Sequence, residues 1–420
     1  MWKILVSLLS LALVEAVTRY DGYKVLRVVP NGDAQVRYLR NLEEDLELSF
    51  WKEASFPGRP VDIMVPPNKF GRFKTELRLF GFDVNTMMTD VQSVIDRQME
   101  ENAEKRSMNP DSFDYNTYHT YDEIDAWIDE ISAANHDIAS PFTVGTSYEG
   151  RKIRGVKVGK QATGKKAQYY VGGIHAREWV SPSTMIYTVK YLVEGYGNDP
   201  SITNYLDNFD YYIVPSSNPD GYEFTWTTDR MWRKTRSPNA GSNCVGTDPN
   251  RNWSAGWGRF PGSSGNPCST SYRGPEAFSE AETDAAAKFV ESLAPNVAVF
   301  IDFHAYSQMW MSPYGYTRDS PPEPDYTKQI DANKRCGEAI EAVHGKVYQT
   351  GTIANTIYVA NGNTADWGYD NQNILLSHAV ELRDTGEHGF LLPEDQIQPT
   401  AEETFEAVKE ISKIALENMQ

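Results

Sequence analysis

Tyr169-Tyr170-Val171-Gly172-Gly173-Ile174-His175-Ala176-Arg177-Glu178-Trp179 is the stretch from which the fold can be read. An apolar, β-rich run stops at a glycine pair, and a His and a Glu follow three residues apart. A strand ending in a sharp turn lets both side chains swing toward one point. An imidazole and a carboxylate there are two of the three protein ligands of a catalytic zinc site. Alone the pair is weak evidence, because H-x-x-E arises by chance.

The most strand-like run of the chain is Val297-Ala298-Val299-Phe300-Ile301-Asp302-Phe303, and it ends at His304. Further strands are expected at Arg154–Val158, Gln168–Val171, Tyr211–Val214 and Ser377–Leu382, with helices at Ser183–Glu194 and Glu280–Leu293 among them. Strands alternating with helices over about 300 residues predict an α/β domain, one large sheet covered by helices on both faces. In such sheets ligands gather where strands end. That selects His304, among the seven histidines, as a candidate third ligand beside His175 and Glu178.

A second H-x-x-E, His378-Ala379-Val380-Glu381, lies inside an apolar strand. There i and i+3 point to opposite faces, so the pair cannot chelate one metal. The same alternation puts Ala379 and Glu381 on one face. A buried Glu is costly unless it has a task. Pattern alone leaves two readings: a general base for a metal-activated water, or an ion pair with Arg383 on the same face. Arg230, Arg233 and Arg251 sit in aromatic and Asn-rich surroundings, and arginine forks suit carboxylates.

Working outward, residues 17–106 form a separate unit. Strands are expected at Tyr23–Val29, Leu48–Trp51 and Val61–Val65, helices at Ala34–Leu42, Lys69–Phe80 and Asp90–Glu104, and a short extended piece at Phe82–Val84. This βαββαβ order plus a helix describes a small open α/β sandwich with no cluster of catalytic residue types. Lys105-Arg106 follows a very polar helix end; the pair reads as an exposed-linker site for a trypsin-like protease and also as a solvated helix terminus. The next unit, residues 107–420, opens on the capping box Thr120-Tyr121-Asp122-Glu123. Residues 1–16 have the positive start, apolar run and small-residue cleavage site of a secretory signal peptide. Secretion and an extracellular location follow as expectations.

A net charge of −18, spread along the chain, argues against nucleic acid and anionic membranes as partners. Of three cysteines, Cys244 and Cys268 can pair across a Gly/Ser/Pro-rich loop. Cys336 is then single and reads as a buried, inert thiol. Asn252-Trp253-Ser254 fits a glycosylation sequon but lies beside the candidate carboxylate-binding residues, so it is expected unmodified.

Assembled in order, the motifs are His-x-x-Glu, Arg230-x-Trp-Arg-Lys-Thr-Arg236, Asp248-x-Asn-Arg-Asn-Trp253, His304, Ile357-Tyr-x-Ala360 and Glu381-Leu-Arg-Asp-Thr-Gly386. The chain resembles a zinc metallocarboxypeptidase zymogen of the pancreatic A/B type, from signal peptide through pro-domain to catalytic domain. The resemblance implies one Zn2+ held by His175, Glu178 and His304, with Asp248 orienting the first histidine. It implies Glu381 as general base, Arg233 as the oxyanion donor, and Asn250, Arg251 and Tyr358 as a clamp on the substrate's terminal carboxylate. Arg177, Arg230, Tyr306 and Phe390 match residues lining the approach. Met311, Ile353, Ile357, Ala360, Asn363, Ala365 and Ala379 match the specificity pocket. Ala365 stands where enzymes for basic residues carry Asp. With Ala379 it enlarges an apolar pocket, which implies bulky aromatic or large aliphatic C-terminal residues. Asn363 departs from the usual Gly and adds a polar group. The resemblance further implies a monomer that meets peptide and protein C-termini and is activated by cleavage after Arg106. Rival readings are a non-catalytic relative that binds C-termini, a peptidase of basic or acidic specificity, and an unrelated zinc endopeptidase. Retention of Glu381 with Arg233, Ala365 at the pocket floor, and the absence of H-E-x-x-H respectively oppose them.

Overall fold

The computed structural model describes residues 16–419 apart from 44, 109–111 and 260. Residues 1–15 of the expected signal peptide therefore lie outside the described residues. Among the described residues no helix is long and apolar enough to cross a membrane.

The N-terminal unit has four strands, β1 (Lys24–Val29), β2 (Ser49–Lys52), β3 (Val61–Val65) and β4 (Asp83–Met88). They form an antiparallel sheet in the order β2-β3-β1-β4. Helices Asp33–Leu42 and Pro67–Leu79 bury Val36, Leu39, Phe73 and Leu77 against one face, in a cluster with Leu26, Val28 and Ile63. The expected βαββαβ order stands. Its last strand is longer than the sequence suggested.

The following helix runs Val91–Met108 and overruns the expected end at Glu104. Of the two readings of Lys105-Arg106, the helix terminus stands and the exposed linker does not. The pair occupies the last turns of a helix, with Lys105 bound to Glu394 at 2.6 Å and Arg106 to Glu123. Arg106 also lies over the Trp226 ring. Polar composition looked like a linker, but the charges are spent on contacts far along the chain.

The second unit contains β5 (Ala139–Thr146), β6 (Lys152–Val158), β7 (Lys166–Gly172), β8 (Phe209–Val214), β9 (Val297–His304), β10 (Met309–Ser312), β11 (Gln349–Thr352) and β12 (Leu376–Glu381). They make one mixed sheet in the order β11-β10-β12-β9-β7-β8-β6-β5. The central strands β12, β9, β7 and β8 are mutually parallel. Each is buried along most of its length because both faces are covered. Tyr170, Ile301 and Phe303 join a core with helices Val180–Gly195 and Ile397–Glu417. Tyr169, Val171 and Phe300 join the core on the other face, with Ala286 and Val290 of Ala281–Leu293 and with Trp367. The expected strands are all present. β5, β10 and β11 were missed: the first is largely exposed, and the other two have four residues each.

The C-terminal ends of the parallel strands align. Gly172 sits opposite Phe303, and Glu381 opposite His304. The chain leaves β7 to β8 on one side and later returns as β9 on the other. That reversal opens a crevice at the strand ends.

Candidate active site

The glycine pair does what its position requires. Gly173 has a φ of +61°, and a Cβ on it would sit 3.0 Å from Ser216. A Cβ on Gly172 would press on Met185 and on the Pro215 carbonyl. Only glycine lets β7 turn here against the neighbouring loop and carry His175 and Glu178 into the crevice.

His175, Glu178 and His304 converge, each offering one ligand atom, with those atoms within 4.8 Å of one another. The Nδ1 atoms of both histidines face the Glu178 carboxylate, at 2.8 Å and 3.0 Å. Their Nε2 atoms point away, His175 to Asp248 (3.0 Å) and His304 to Asp302 (2.8 Å). Two imidazoles and a carboxylate with converging donors, and a carboxylate behind each ring, are a donor set that fits a zinc ion. Burial opposes the charged form of Glu178, yet the two histidines hold its carboxyl below the usual range. Asp248 is likewise held well down, against burial, by Arg233 and His175.

Glu381, at the end of β12, faces the same cavity as His175, His304, Asn250, Arg251 and Tyr358. Burial first, and then the Glu178 charge, push its carboxyl up to about 8, while His304 opposes the shift. The alternative ion pair with Arg383 is not formed: Arg383 binds Glu403 through Nε at 2.8 Å and through a second guanidinium contact. His378 points to the opposite face, with Nδ1 3.0 Å from Asn333 Oδ1.

The arginines separate into different settings. Arg251 is 2 % exposed, and its Nε and one terminal nitrogen have no hydrogen-bond partner. A buried guanidinium with two free donors is a seat for a carboxylate. Arg233 donates from Nε and a terminal nitrogen to Asp248 (3.2 and 2.8 Å), with its other terminal nitrogen 3.1 Å from His175 Nδ1. Arg177 stacks 4.0 Å from the Phe390 ring centre, and burial lowers it to about 10. Arg230 is placed differently from the expected lining role. Its donors are committed to Gln98, to the Arg177 carbonyl and to the Phe390 carbonyl. It braces the wall of the approach from behind.

Met311, Ile353, Ile357, Ala360, Asn363 and Ala379 line one cavity with His175 and His304, and Ala379, Met311, Ile353 and Ile357 share an apolar cluster with Ala365. Asn363 caps a helix. It donates to the Ala360 carbonyl (2.8 Å) and to Asp366 (2.7 Å), and accepts from the Asp366 N–H at 2.9 Å. Both of its N–H donors are thus spent inside the wall. Cys244 and Cys268 are joined, and Cys336 is a buried thiol pushed up by burial. Asn252 is fully buried, donating to two carbonyls and to Ser279, so its sequon is sealed.

The N-terminal unit sits against this site. Trp51 packs against Phe390 with ring centres 5.2 Å apart and the planes tilted by 53°. Tyr306 donates to Asp62 at 2.6 Å, and Arg27 holds the same carboxylate at 2.7 and 2.6 Å. Sequence reasoning missed Asp62, Trp51 and Asp302. Asp302 was readable: an acid in an apolar strand, two residues before a ligand histidine, shares its face.

A metal-holding triad, an acid beside it and a carboxylate seat define a metallo-exopeptidase framework. Residues 124–407 match the zinc carboxypeptidase family, and residues 26–98 match the carboxypeptidase activation peptide. The chain belongs to the zinc carboxypeptidase family and carries its activation peptide as a zymogen. It is 41 % identical over 412 residues to Carboxypeptidase A1 of Rattus norvegicus, covering 97 % of each chain. To Carboxypeptidase A2 of the same species it is 42 % identical over 397 residues, 93 % of each. Its structure matches that of thrombin activatable fibrinolysis inhibitor with a TM-score of 0.85 at 33 % identity, over 94 % of this chain and 99 % of the other. Carboxypeptidase A from Helicoverpa armigera matches with a TM-score of 0.85 at 28 % identity, over 94 % and 98 %. The fold class, the metallocarboxypeptidase activity and the single zinc are as expected from the sequence.

Proposed function

We propose that the chain removes single C-terminal residues, with bulky aromatic and large aliphatic side chains preferred, and that the assignment of roles is as follows. The observation that carries it is the buried Arg251 with two unpartnered donors, in one cavity with His175, His304 and Glu381. An internal peptide bond offers nothing to fill that seat; a free terminal carboxylate does.

His175, Glu178 and His304 hold the ion. When bound, zinc supplies polarisation of the scissile carbonyl and makes water acidic near neutrality. Asn250, Arg251 and Tyr358 fix the terminal carboxylate, so the last peptide bond is the one presented. Glu381 takes a proton from the attacking water and passes it to the leaving amine. Arg233 donates to the oxyanion that develops on the carbonyl, a contribution of about 3 kcal/mol for one such donor. Met311, Ile353, Ile357, Ala360, Ala365 and Ala379 receive the apolar side chain. Arg177, Tyr306 and Phe390 line the path of the preceding residues.

The N-terminal unit restrains this chemistry until a trypsin-like protease cuts near Arg106, with domain boundaries at about 17–106 and 107–420. Secretion and a monomeric state belong to the same reading. The test is release of C-terminal Phe, Leu and Lys from blocked dipeptides after trypsin treatment, with and without a zinc chelator, and with Glu381→Gln. Phe or Leu release that a chelator and Glu381→Gln both abolish is expected. Faster Lys release overturns the apolar pocket, and chelator-resistant release overturns the metal mechanism.

A further inference from the structure

We infer that Asp302 is a positioning residue for metal binding, acting through His304, so that both ligand histidines are held from behind by a buried aspartate. The inference rests on His175, Glu178 and His304 being the ligands.

Asp302 and His304 are i and i+2 on β9 and share a face. Asp302 Oδ2 lies 2.8 Å from His304 Nε2 and accepts from the Thr364 hydroxyl at 2.7 Å. The residue is 0 % exposed, and its Oδ1 has no hydrogen-bond partner among the described residues. Its one ion-pairing partner among them is His304. A carboxylate enclosed this way, with one oxygen unsatisfied, opposes folding. Burial in a strand core therefore calls for a compensating role.

The ring geometry identifies the role. A proton on His304 Nε2, donated to Asp302, leaves the Nδ1 lone pair directed at Glu178 Oε2, 3.0 Å away, which is where the ligand atoms converge. His175 repeats the arrangement with Asp248 behind Nε2. Such partners fix the tautomer and raise the basicity of the ligand. The Asn250 amide nitrogen also lies 2.8 Å from His304 Nε2, with its Oδ1 turned to the Thr364 N–H at 3.0 Å. The amide contact serves the other tautomer, with Nε2 as acceptor; a metal on Nδ1 selects the tautomer in which Nε2 donates to Asp302. Asp248 also binds Arg233, so its removal disturbs two groups. Asp302 offers the cleaner test.

The experiment titrates Zn2+ into the metal-free full-length chain against a chromophoric chelator, alongside thermal unfolding of the same metal-free samples. Loss of one such partner costs about 10–100-fold in metal affinity, so Asp302→Asn is expected near the lower figure and Asp302→Ala near the upper. The metal-free unfolding midpoint holds or rises, because the unsatisfied carboxylate is gone. Unchanged affinity in both variants overturns the proposal. So does a loss of affinity that only tracks a fall in the metal-free midpoint, since that marks a structural role. Thr364→Val serves if Asp302→Ala does not fold. It keeps the carboxylate and removes the hydroxyl that fixes it, and a few-fold weaker site is expected; wild-type affinity there and in Asp302→Asn sinks the idea. His304→Ala separates the two levels. If it binds zinc as tightly as the wild type, the ligand assignment itself has failed. If it loses zinc while the Asp302 variants do not, only the role of Asp302 has failed.

Discussion

Tyr306→Phe deletes one hydroxyl at the contact between the activation unit and the catalytic unit, and its effect on latency can be worked from the geometry. The hydroxyl donates to Asp62 at 2.6 Å, with both residues buried. A hydrogen bond to a charged group contributes about 1.5–3 kcal/mol. Arg27 keeps its two bonds to Asp62, so the carboxylate is not stranded and the lower figure applies. At 1.4 kcal/mol per decade, the fraction of chains with the activation unit lifted from the site rises about tenfold. Because Tyr306 is also proposed to line the substrate path, activity alone is ambiguous. The informative quantity is a ratio: hydrolysis of a peptide ending in Phe by the uncut chain, divided by hydrolysis after complete trypsin cleavage of the same variant. Any direct effect on the substrate cancels. The ratio is expected to rise about tenfold over wild type. An unchanged ratio would refute the reasoning that this bond holds the unit down, and would move the restraint to Trp51 and its neighbours.

Three further outcomes are expected. Glu123→Gln releases Arg106 while a glutamine still completes the capping box with Thr120; a partly exposed pair of this kind contributes about 0.2–1 kcal/mol. Trypsin cleavage followed by gel should therefore be up to about fivefold faster, and identical kinetics would show that the pair does not guard the helix end. Glu282 is raised to about 7 by burial, so the folded chain binds a proton that the unfolded chain has lost between about pH 4.5 and 7. Stability contributed by this group is present at the acid end and lost as pH rises through that window. Glu282→Gln should flatten the denaturant-midpoint profile there, by roughly 2–4 kcal/mol across the range, and a profile parallel to wild type contradicts the shift. Ala379→Leu fills the cavity shared with Met311 and Ile353. KM for a C-terminal Phe or Trp substrate should rise more than for Ala, and an equal change for all would place the pocket elsewhere.

Much of this molecule was readable from its sequence, for identifiable reasons. β7 and β9 are largely apolar runs with clear ends, and the shorter β12 buries Ser377 and His378 among its apolar residues. The proposed ligands His175, Glu178 and His304 stand at or just beyond the ends of β7 and β9, so strand reading and chemistry reinforced each other. β10 and β11 are four-residue strands fixed by pairing with β12 and with each other, which no local pattern encodes. The Lys105-Arg106 pair misled because polarity is the same for a solvated linker and for a helix end tied to Glu394 and Glu123. Asn363 read as a polar intrusion into the pocket. Its donors are consumed by Ala360 and Asp366, a satisfaction that depends on tertiary position and that sequence cannot display.

On the proposed reading, the two unpartnered donors of Arg251 set the course of trimming as well as its first cut. Every hydrolysis leaves the shortened peptide with a new terminal carboxylate, the very group this guanidinium accepts. The departing residue keeps its own carboxylate and competes for the same seat. Recognition is therefore regenerated with each turnover. Trimming proceeds inward along the substrate until it meets a side chain the alanine-lined cavity refuses. The length of the remaining peptide becomes a record of where the first such residue lay.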